Sequence, residues 1–175
     1  MKFVYGDLSL DVPDGWTRTS KARTSWAASQ IGFMAPPDTS LAKDYAKQAA
    51  AAGAPVRMEV PADPKSRANF TFTTRPWFLS MPPKEFCDAE LKAMIAQIPN
   101  AKAGPLATLT VAGAEGTSEE VELSMQGMAL KQLHVLVVIG DRILHFVGTA
   151  GLGDYPKHRE QFLAAVQSIA PTATE

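Results

Sequence analysis

Two histidines, His134 and His145, are spaced so that a hairpin would bring their side chains together. Gly140-Asp141 has the chemistry of a two-residue hairpin loop. Counting outward from that loop puts Leu136 opposite His145 and His134 opposite Val147. The two histidines would then share one face as diagonal neighbours, about 7–8 Å apart. The two strands contain no Asp, Glu or Cys that could supply a third metal ligand, so we predict no metal site.

Cys87 has the chemistry of a nucleophile, and it is the single cysteine of the chain. It recurs with Leu91, Met94, Ile95 and Ile98 at helical spacing, on one continuous apolar stripe. A free cysteine on such a stripe behaves as a small buried hydrophobe. With no His or Asn nearby in the sequence to lower its pKa, we predict a structural role.

The remaining candidates are weaker. The paired carboxylates of "TSEEVE" alternate between opposite faces if the segment is a strand. Asp154 and His158 fit a helix N-cap and a solvent-facing histidine. The sequence has no Gly-rich phosphate loop, no Gly-x-Ser-x-Gly elbow and no His-Glu-x-x-His. We therefore predict that the protein is not an enzyme, has no catalytic residues and binds no cofactor.

Composition narrows the class of protein further. The 175 residues suit one domain, and the net charge of −1 argues against a nucleic-acid surface. No apolar run approaches the roughly 20 residues that span a bilayer. The first residues, "MKFVYGDLSLDV", lack the apolar core of a secretory signal. These features predict a cytoplasmic protein, unless a leader has been removed.

Periodicity predicts a single α+β domain over residues 1–175, with helices packed on one face of an antiparallel sheet. Two helices are clear, residues 84–97 and 155–169. Strands are expected over 8–12, 25–34, 55–60, 68–75, 104–113, 116–125, 128–140 and 142–150. A further Ala-rich helix is expected over residues 41–52, between Ser40 and Gly53.

The predicted hairpin is unusual because both of its faces are largely apolar. One face carries Leu133, Val135, Val137, Ile139, Leu144 and Phe146, and should pack on the helices. The other face carries Leu136, Val138, Ile143 and Val147 beside His134 and His145. A solvated sheet face would be polar. We predict that these six residues of the second face bind a partner: another protomer, a peptide or an apolar ligand. The chain's own loops are the alternative cover.

Several motifs together resemble one known family. A strand ends in "VPDGW", and "ANFTFTTR" and the helix "PKEFCDAELKAMIAQIP" follow; near the end, "RILHFVGTA" precedes "QFLAAVQSIAP". This order resembles the PsbP-like superfamily, particularly its bacterial DcrB-like branch. The chain departs from the family pattern in its longer segment between Ala35 and Ala54, and in Ile169 where a Phe is usual.

The resemblance implies a central antiparallel sheet with helices on its faces, an α/β/α sandwich, and a non-enzymatic role. The family includes photosystem subunits, a Ran-binding import factor, envelope lipoproteins and the Eag-type chaperones of type VI secretion. Those chaperones are cytoplasmic homodimers that shield transmembrane segments of effectors on an apolar sheet surface. The resemblance thus implies a chaperone-like homodimer that binds a secreted effector. The alternative is an envelope-associated protein whose leader is absent.

Overall fold

The computed structural model describes residues 1–5, 7–18, 23–25, 28–35, 68–125 and 127–172. The helix predicted over residues 41–52 and the strand predicted over residues 55–60 lie outside the described residues. Within the described part, the chain forms twelve strands and two helices: six strands precede the first helix, five lie between the helices and one follows the second.

The strands follow the alternating apolar patterns of the sequence. Their bounds are β1 Lys2–Tyr5, β2 Leu8–Asp11, β3 Thr17–Arg18, β4 Arg23–Ser25, β5 Ala28–Met34, β6 Asn69–Pro76, β7 Lys102–Ala103, β8 Ala107–Val111, β9 Ala114–Met125, β10 Met128–Ile139, β11 Arg142–Gly151 and β12 Ala170–Pro171. The strand predicted over 25–34 was wrong at its start, because residue 25 belongs to β4.

A large antiparallel sheet has the order β3-β5-β6-β11-β10-β9-β7, with β4 on β5 and β8 on β9. A smaller sheet has the order β1-β2-β12. The predicted single α+β fold with a central antiparallel sheet is confirmed.

The hairpin β10–β11 lies at the centre of the large sheet. Gly140 adopts a φ of 59°, which the tight loop requires. The register is the predicted one: His134 pairs with Val147, and Leu136 pairs with His145. Because side chains alternate along a strand, this register decides which residues share each face.

Helix α1, Pro83–Ala96, covers one face of the sheet. Pro83 suits the first helical turn, where its missing N–H has no intrahelical acceptor. Of the predicted apolar stripe, Cys87, Leu91 and Ile95 are buried, and Met94 and Ile98 are partly buried against the same cluster. Phe86 is a further buried residue of the helix. They form one core cluster with apolar residues of β9, β10 and β11: Val121, Leu123, Leu130, Leu136, Val138 and Ile143.

Helix α2, Tyr155–Gln167, covers the opposite face, where Phe162 and Val166 are fully buried. Phe70 and Phe146 of the sheet stack at 5.2 Å between ring centroids within the same cluster. The expectation that both helices pack on one face was therefore wrong. A hairpin that is apolar on both sides needs a helix on each side.

The motif "VPDGW" closes the core beside α2. Gly15 has a φ of 79°, and the N–H of Trp16 donates to the carbonyl of Pro13 at 3.2 Å. This turn buries the Trp16 ring 5.3 Å from the ring of Phe70. His158 is half-buried 6.1 Å from the Trp16 ring and contacts Gln161, so the prediction that it faces solvent was wrong. Asp154 occupies the N-cap position, but its side chain makes no capping hydrogen bond.

Gly148 tests how tightly α2 packs on the sheet. A Cβ atom at this position would lie 2.5 Å from Cγ of Phe162, a ring with no solvent exposure. We expect Gly148→Ala to lower the free energy of unfolding by about 1–3 kcal/mol. The added methyl group would overlap the enclosed Phe162 ring, and neither β11 nor α2 can shift without disturbing the core between them. Urea denaturation measures the change. Gly151→Ala is the matched control, since its nearest neighbour would be 3.7 Å away; an equal loss in both variants would contradict the packing described.

Candidate functional site

The second sheet face was predicted to bind a partner, and the structure divides it into two parts. Leu136, Val138 and Ile143 are 1%, 6% and 5% exposed, respectively, beneath α1. The chain's own helix covers them, so in this fold they are core residues and not a free surface. This burial corrects the prediction that Leu136, Val138 and Ile143 contact a partner. The alternative prediction was that the chain's own loops cover this face, whereas the structure has helix α1 there.

The other part of the face is polar and lies around the two histidines. His134 is buried, and His145 and Val147 are partly buried. Thr73 pairs with His145, and Thr71 pairs with Val147, which places two hydroxyl-bearing residues beside them on β6. The six predicted residues therefore share a face but have two different environments.

The histidine rings are closer than strand spacing alone predicts. Nδ1 of His134 lies 3.2 Å from Nε2 of His145, and the ring centroids are 5.4 Å apart. Nε2 of His134 lies 2.9 Å from Oε1 of Gln132, and the Gln132 amide nitrogen donates to Thr149 at 3.1 Å. The two side chains therefore belong to a hydrogen-bonded chain that crosses β10 and β11.

This chain determines which ring nitrogens carry protons. Because Oε1 of Gln132 can only accept, Nε2 of His134 must donate to it. Nδ1 of a neutral His134 is then an acceptor, so Nε2 of His145 donates to it. Both nitrogens of His134 and Nε2 of His145 thereby have hydrogen-bond partners with the two imidazoles in their neutral forms.

Burial also favours the neutral forms. It lowers the pKa of His134 to about 4, with a smaller effect from His145. Burial lowers the pKa of His145 to about 4 as well, helped by the positive charge of Arg75. At neutral pH the pair is uncharged. Within the described residues, no group of three His, Cys, Asp or Glu side chains could hold a metal ion.

Cys87 has the structural role that was predicted. It is fully buried in the cluster under α1. Burial, together with the nearby charge of Asp88, raises the pKa of the thiol to about 11. A thiol in this environment stays protonated and is a poor nucleophile at neutral pH.

The paired carboxylates Glu119 and Glu120 point to opposite faces of β9, as strand alternation predicted. Glu120 lines a cleft of about 480 Å³. There Arg159 donates to its carboxylate at 2.6 Å, and Lys131 lies 3.1 Å away. Burial acts to raise the pKa of Glu120, but the hydrogen bonds from Arg159 and Lys131 outweigh it and lower that pKa. These groups neutralise one another, which is typical of an ion-pair network.

A surface that sequence reasoning did not assign lies between β6 and α1. Residues 78–81, the exposed loop, present Phe78, Leu79 and Met81 at 87%, 52% and 39% exposure, respectively. The available signal was a cluster of apolar residues between Pro76 and Pro82 that follows neither helical nor strand periodicity.

The exposed loop is held at both of its ends. On one side, the N–H of Trp77 donates to the carbonyl of Asp141 at 2.7 Å, and the Trp77 ring packs 4.9 Å from Phe86. On the other side, Pro82 and Pro83 lead directly into α1. The apolar side chains are therefore displayed from an anchored backbone.

Leu136→Asp tests whether the apolar half of the sheet face is core. The charge would be buried beneath α1 without a partner, so we expect the free energy of unfolding to fall by at least about 3 kcal/mol. Circular dichroism during thermal unfolding measures the loss. Leu152→Asp, at a residue 42% exposed, is the control that should keep near-normal stability. A folded and stable Leu136→Asp protein would show that this face opens readily.

The histidine pair predicts how stability depends on pH. Both pKa values are lower in the folded state than the ordinary value near 6.5, so the unfolded chain binds more protons below that pH. Stability from the neutral pair is fully present above about pH 6.5 and is lost as the pH falls towards 4. We expect His145→Gln to flatten the dependence of unfolding free energy on pH in this window. Equal slopes in the wild type and in His145→Gln would contradict the assignment.

Comparison with known proteins gives matches only at the level of structure. No protein-family profile matches the chain, and no curated protein sequence matches it. Among solved structures, LpqN, involved in cell envelope biogenesis of Mycobacterium tuberculosis, aligns with a TM-score of 0.61 at 14% identity, covering 99% of this chain and 90% of LpqN.

Two further solved structures have the same fold. CyanoP, the cyanobacterial PsbP of Synechocystis sp. PCC 6803, aligns with a TM-score of 0.59 at 9% identity over 98% of this chain and 92% of its own. TplEi, an immunity protein of the type VI secretion system of Pseudomonas aeruginosa, aligns with a TM-score of 0.50 at 10% identity. The alignment covers 100% of this chain and 98% of TplEi. The predicted PsbP-like fold is confirmed. In the described part of the chain, neither helix has the length and apolar character to span a membrane.

Proposed function

We propose that this PsbP-like chain is a non-enzymatic, cytoplasmic binding protein that shields an apolar segment of a partner protein, with the exposed loop as its contact surface. The partner class is a secreted effector of a type VI secretion system. The homodimer that the family resemblance implies stays a prediction within this proposal.

The exposure of Phe78 is the observation that carries the proposal. A phenylalanine with 87% of its surface in water, next to Leu79 and near Met81, leaves apolar area uncovered. Contiguous apolar surface of this kind marks interaction sites. Because Trp77 and Pro82 anchor the loop, binding a partner would order few additional residues, which reduces the entropic cost of association.

The chemistry of the loop suits an apolar partner segment. Phenylalanine supplies a large rigid contact area, and the thioether of Met81 adapts to irregular surfaces. The apolar part of the sheet face predicted earlier, Leu136, Val138 and Ile143, is buried under α1. The proposed contact therefore moves from the sheet to the connection that leads into its covering helix.

Three observations support a binding role over catalysis. The buried histidines are neutral and satisfy one another, and Cys87 lies in the core with a raised pKa. In the 480 Å³ cleft, Glu120 is paired with Arg159 and Lys131. TplEi supports the link to type VI secretion, since a protein of that system has the same fold.

A second candidate function is an envelope-associated role. It is favoured by LpqN, which is described as involved in cell envelope biogenesis and has the same fold. A hydrophobic leader in the native reading frame would support this candidate over the cytoplasmic one.

The test is binding to a fluorescent apolar peptide of about 20 Leu and Ala residues with terminal lysines, a mimic of a transmembrane segment. We expect Phe78→Asp to weaken binding at least about tenfold, since the contact of one aromatic side chain exceeds 1.4 kcal/mol. Fluorescence anisotropy gives the affinity. Light scattering reports whether the protein keeps the peptide from aggregating.

Ser80→Asp is the matched control, because it adds the same charge to the same loop without removing apolar surface. It should retain most of the affinity, which separates loss of apolar contact from electrostatic effects. Equal weakening by both substitutions would contradict an apolar contact at Phe78. A wild-type protein that neither binds the peptide nor keeps it from aggregating would overturn the proposed function.

A further inference from the structure

Strand β8 forms an outer edge of the large sheet. Its inner side pairs with β9 through the register Ala107↔Ser118 to Val111↔Ala114. Among the described residues, no strand pairs with its outer side. The strand reads Ala-Thr-Leu-Thr-Val, without a charged residue or a proline. Natural edge strands usually carry such residues to prevent pairing with other chains.

The turn after β8 determines which backbone groups point outward. Ala112 and Gly113 both have positive φ, 51° and 79°, which defines a type I′ two-residue turn. In such a hairpin the pair next to the turn, Val111 and Ala114, exchanges backbone hydrogen bonds. Bonded and non-bonded pairs then alternate, so the N–H and C=O of Thr108 and Thr110 point away from β9.

Thr108 and Thr110 are also exposed through their side chains, whereas Val111 is buried and Leu109 packs against the core. The outer edge therefore consists of backbone donors and acceptors that no described strand pairs with, flanked by small β-branched side chains. These are the groups that add a strand to a sheet.

We propose that β8 pairs antiparallel with β8 of a second copy of this chain, about a two-fold axis through Leu109. In this register Thr108 of each copy lies opposite Thr110 of the other. Both pairs are of the hydrogen-bonded kind, because all four residues direct their backbone groups across the interface. The large sheet would then continue from one copy into the other.

Self-pairing fits the edge better than an unrelated peptide does. The two-fold register uses every outward-pointing backbone group of the strand and opposes threonine with threonine, a favourable cross-strand pair. It also brings no like charges together, since the strand is uncharged. A peptide-binding edge selects its ligand with pockets for alternate side chains. The small exposed threonines of β8 provide little depth for such selection.

The interface is expected to be weak and dependent on protein concentration. A five-residue strand pair buries less than the roughly 1,200 Å² of a standard stable interface. The monomer–dimer equilibrium should therefore be visible on dilution. The β8 pairing supplies an interface for the homodimer named within the proposed function and rests on it in that respect. It does not involve the exposed loop, so the pairing and the peptide binding can fail separately.

Sedimentation equilibrium over a wide concentration range measures the association, and amide hydrogen exchange locates it. The amides of Thr108 and Thr110 should become protected as concentration rises. Those of Leu109 and Val111 bond to β9 and should be protected at every concentration, which makes them an internal control. A wild-type protein that stays monomeric throughout would overturn the proposal. So would a dimer in which Thr108 and Thr110 exchange freely.

Thr108→Pro removes one outward N–H and no bond to β9, so the dimer dissociation constant should rise at least about tenfold. Thr108→Val keeps the N–H and the shape of the side chain, and should dimerise normally. Thr110→Lys is a second disrupting variant that places a charge on the edge, in case the proline variant folds poorly. Dimers of unchanged affinity in both disrupting variants would place the interface elsewhere. Saturable binding of a synthetic Ala-Thr-Leu-Thr-Val peptide to a monomeric wild type would replace self-pairing with peptide binding.

Discussion

The fold depends on covering a central hairpin that is apolar on both faces. In β10–β11, Val135, Val137 and Phe146 face α2, while Leu136 and Ile143 face α1. Leaving either set in water would forgo about 25 cal/mol for each Å² of apolar surface, so neither helix is dispensable. The sandwich of α1, sheet and α2 is the arrangement that satisfies this constraint within one chain.

The histidine pair lies on the α1 side of the sheet, outside the apolar cluster beneath that helix. Polar groups buried beside an apolar core must bond to one another, and Gln132, His134, His145 and Thr149 do so in one chain. The neutral state of the imidazoles follows from the same burial. The pair thus links the packing of the sheet to the dependence of stability on pH.

Covering both faces leaves interaction to the periphery of the fold. In the described part of the chain, the exposed loop displays apolar side chains, and the outer edge of β8 presents backbone amides that no described strand pairs with. Groups of both kinds favour binding to a partner. LpqN, CyanoP and TplEi share the fold at 9–14% identity, so the fold is retained while most residues differ. Differences in function among such proteins are expected to reside in loops and edges.

The sequence by itself determined the hairpin register and the apolar stripe of α1, because local alternation and the Gly140-Asp141 turn specify them. The PsbP-like fold was indicated by the resemblance of its motifs to that family. It also indicated that Cys87 is structural, since the stripe contains it. Only the tertiary structure decided what covers Leu136, Val138 and Ile143, because an apolar face looks the same in sequence whether a helix or a partner buries it. The contact between the His134 and His145 rings and the exposure of Phe78 also depend on the tertiary structure. Side-chain directions and the path of a connection between elements depend on packing between segments distant in sequence, which periodicity does not encode.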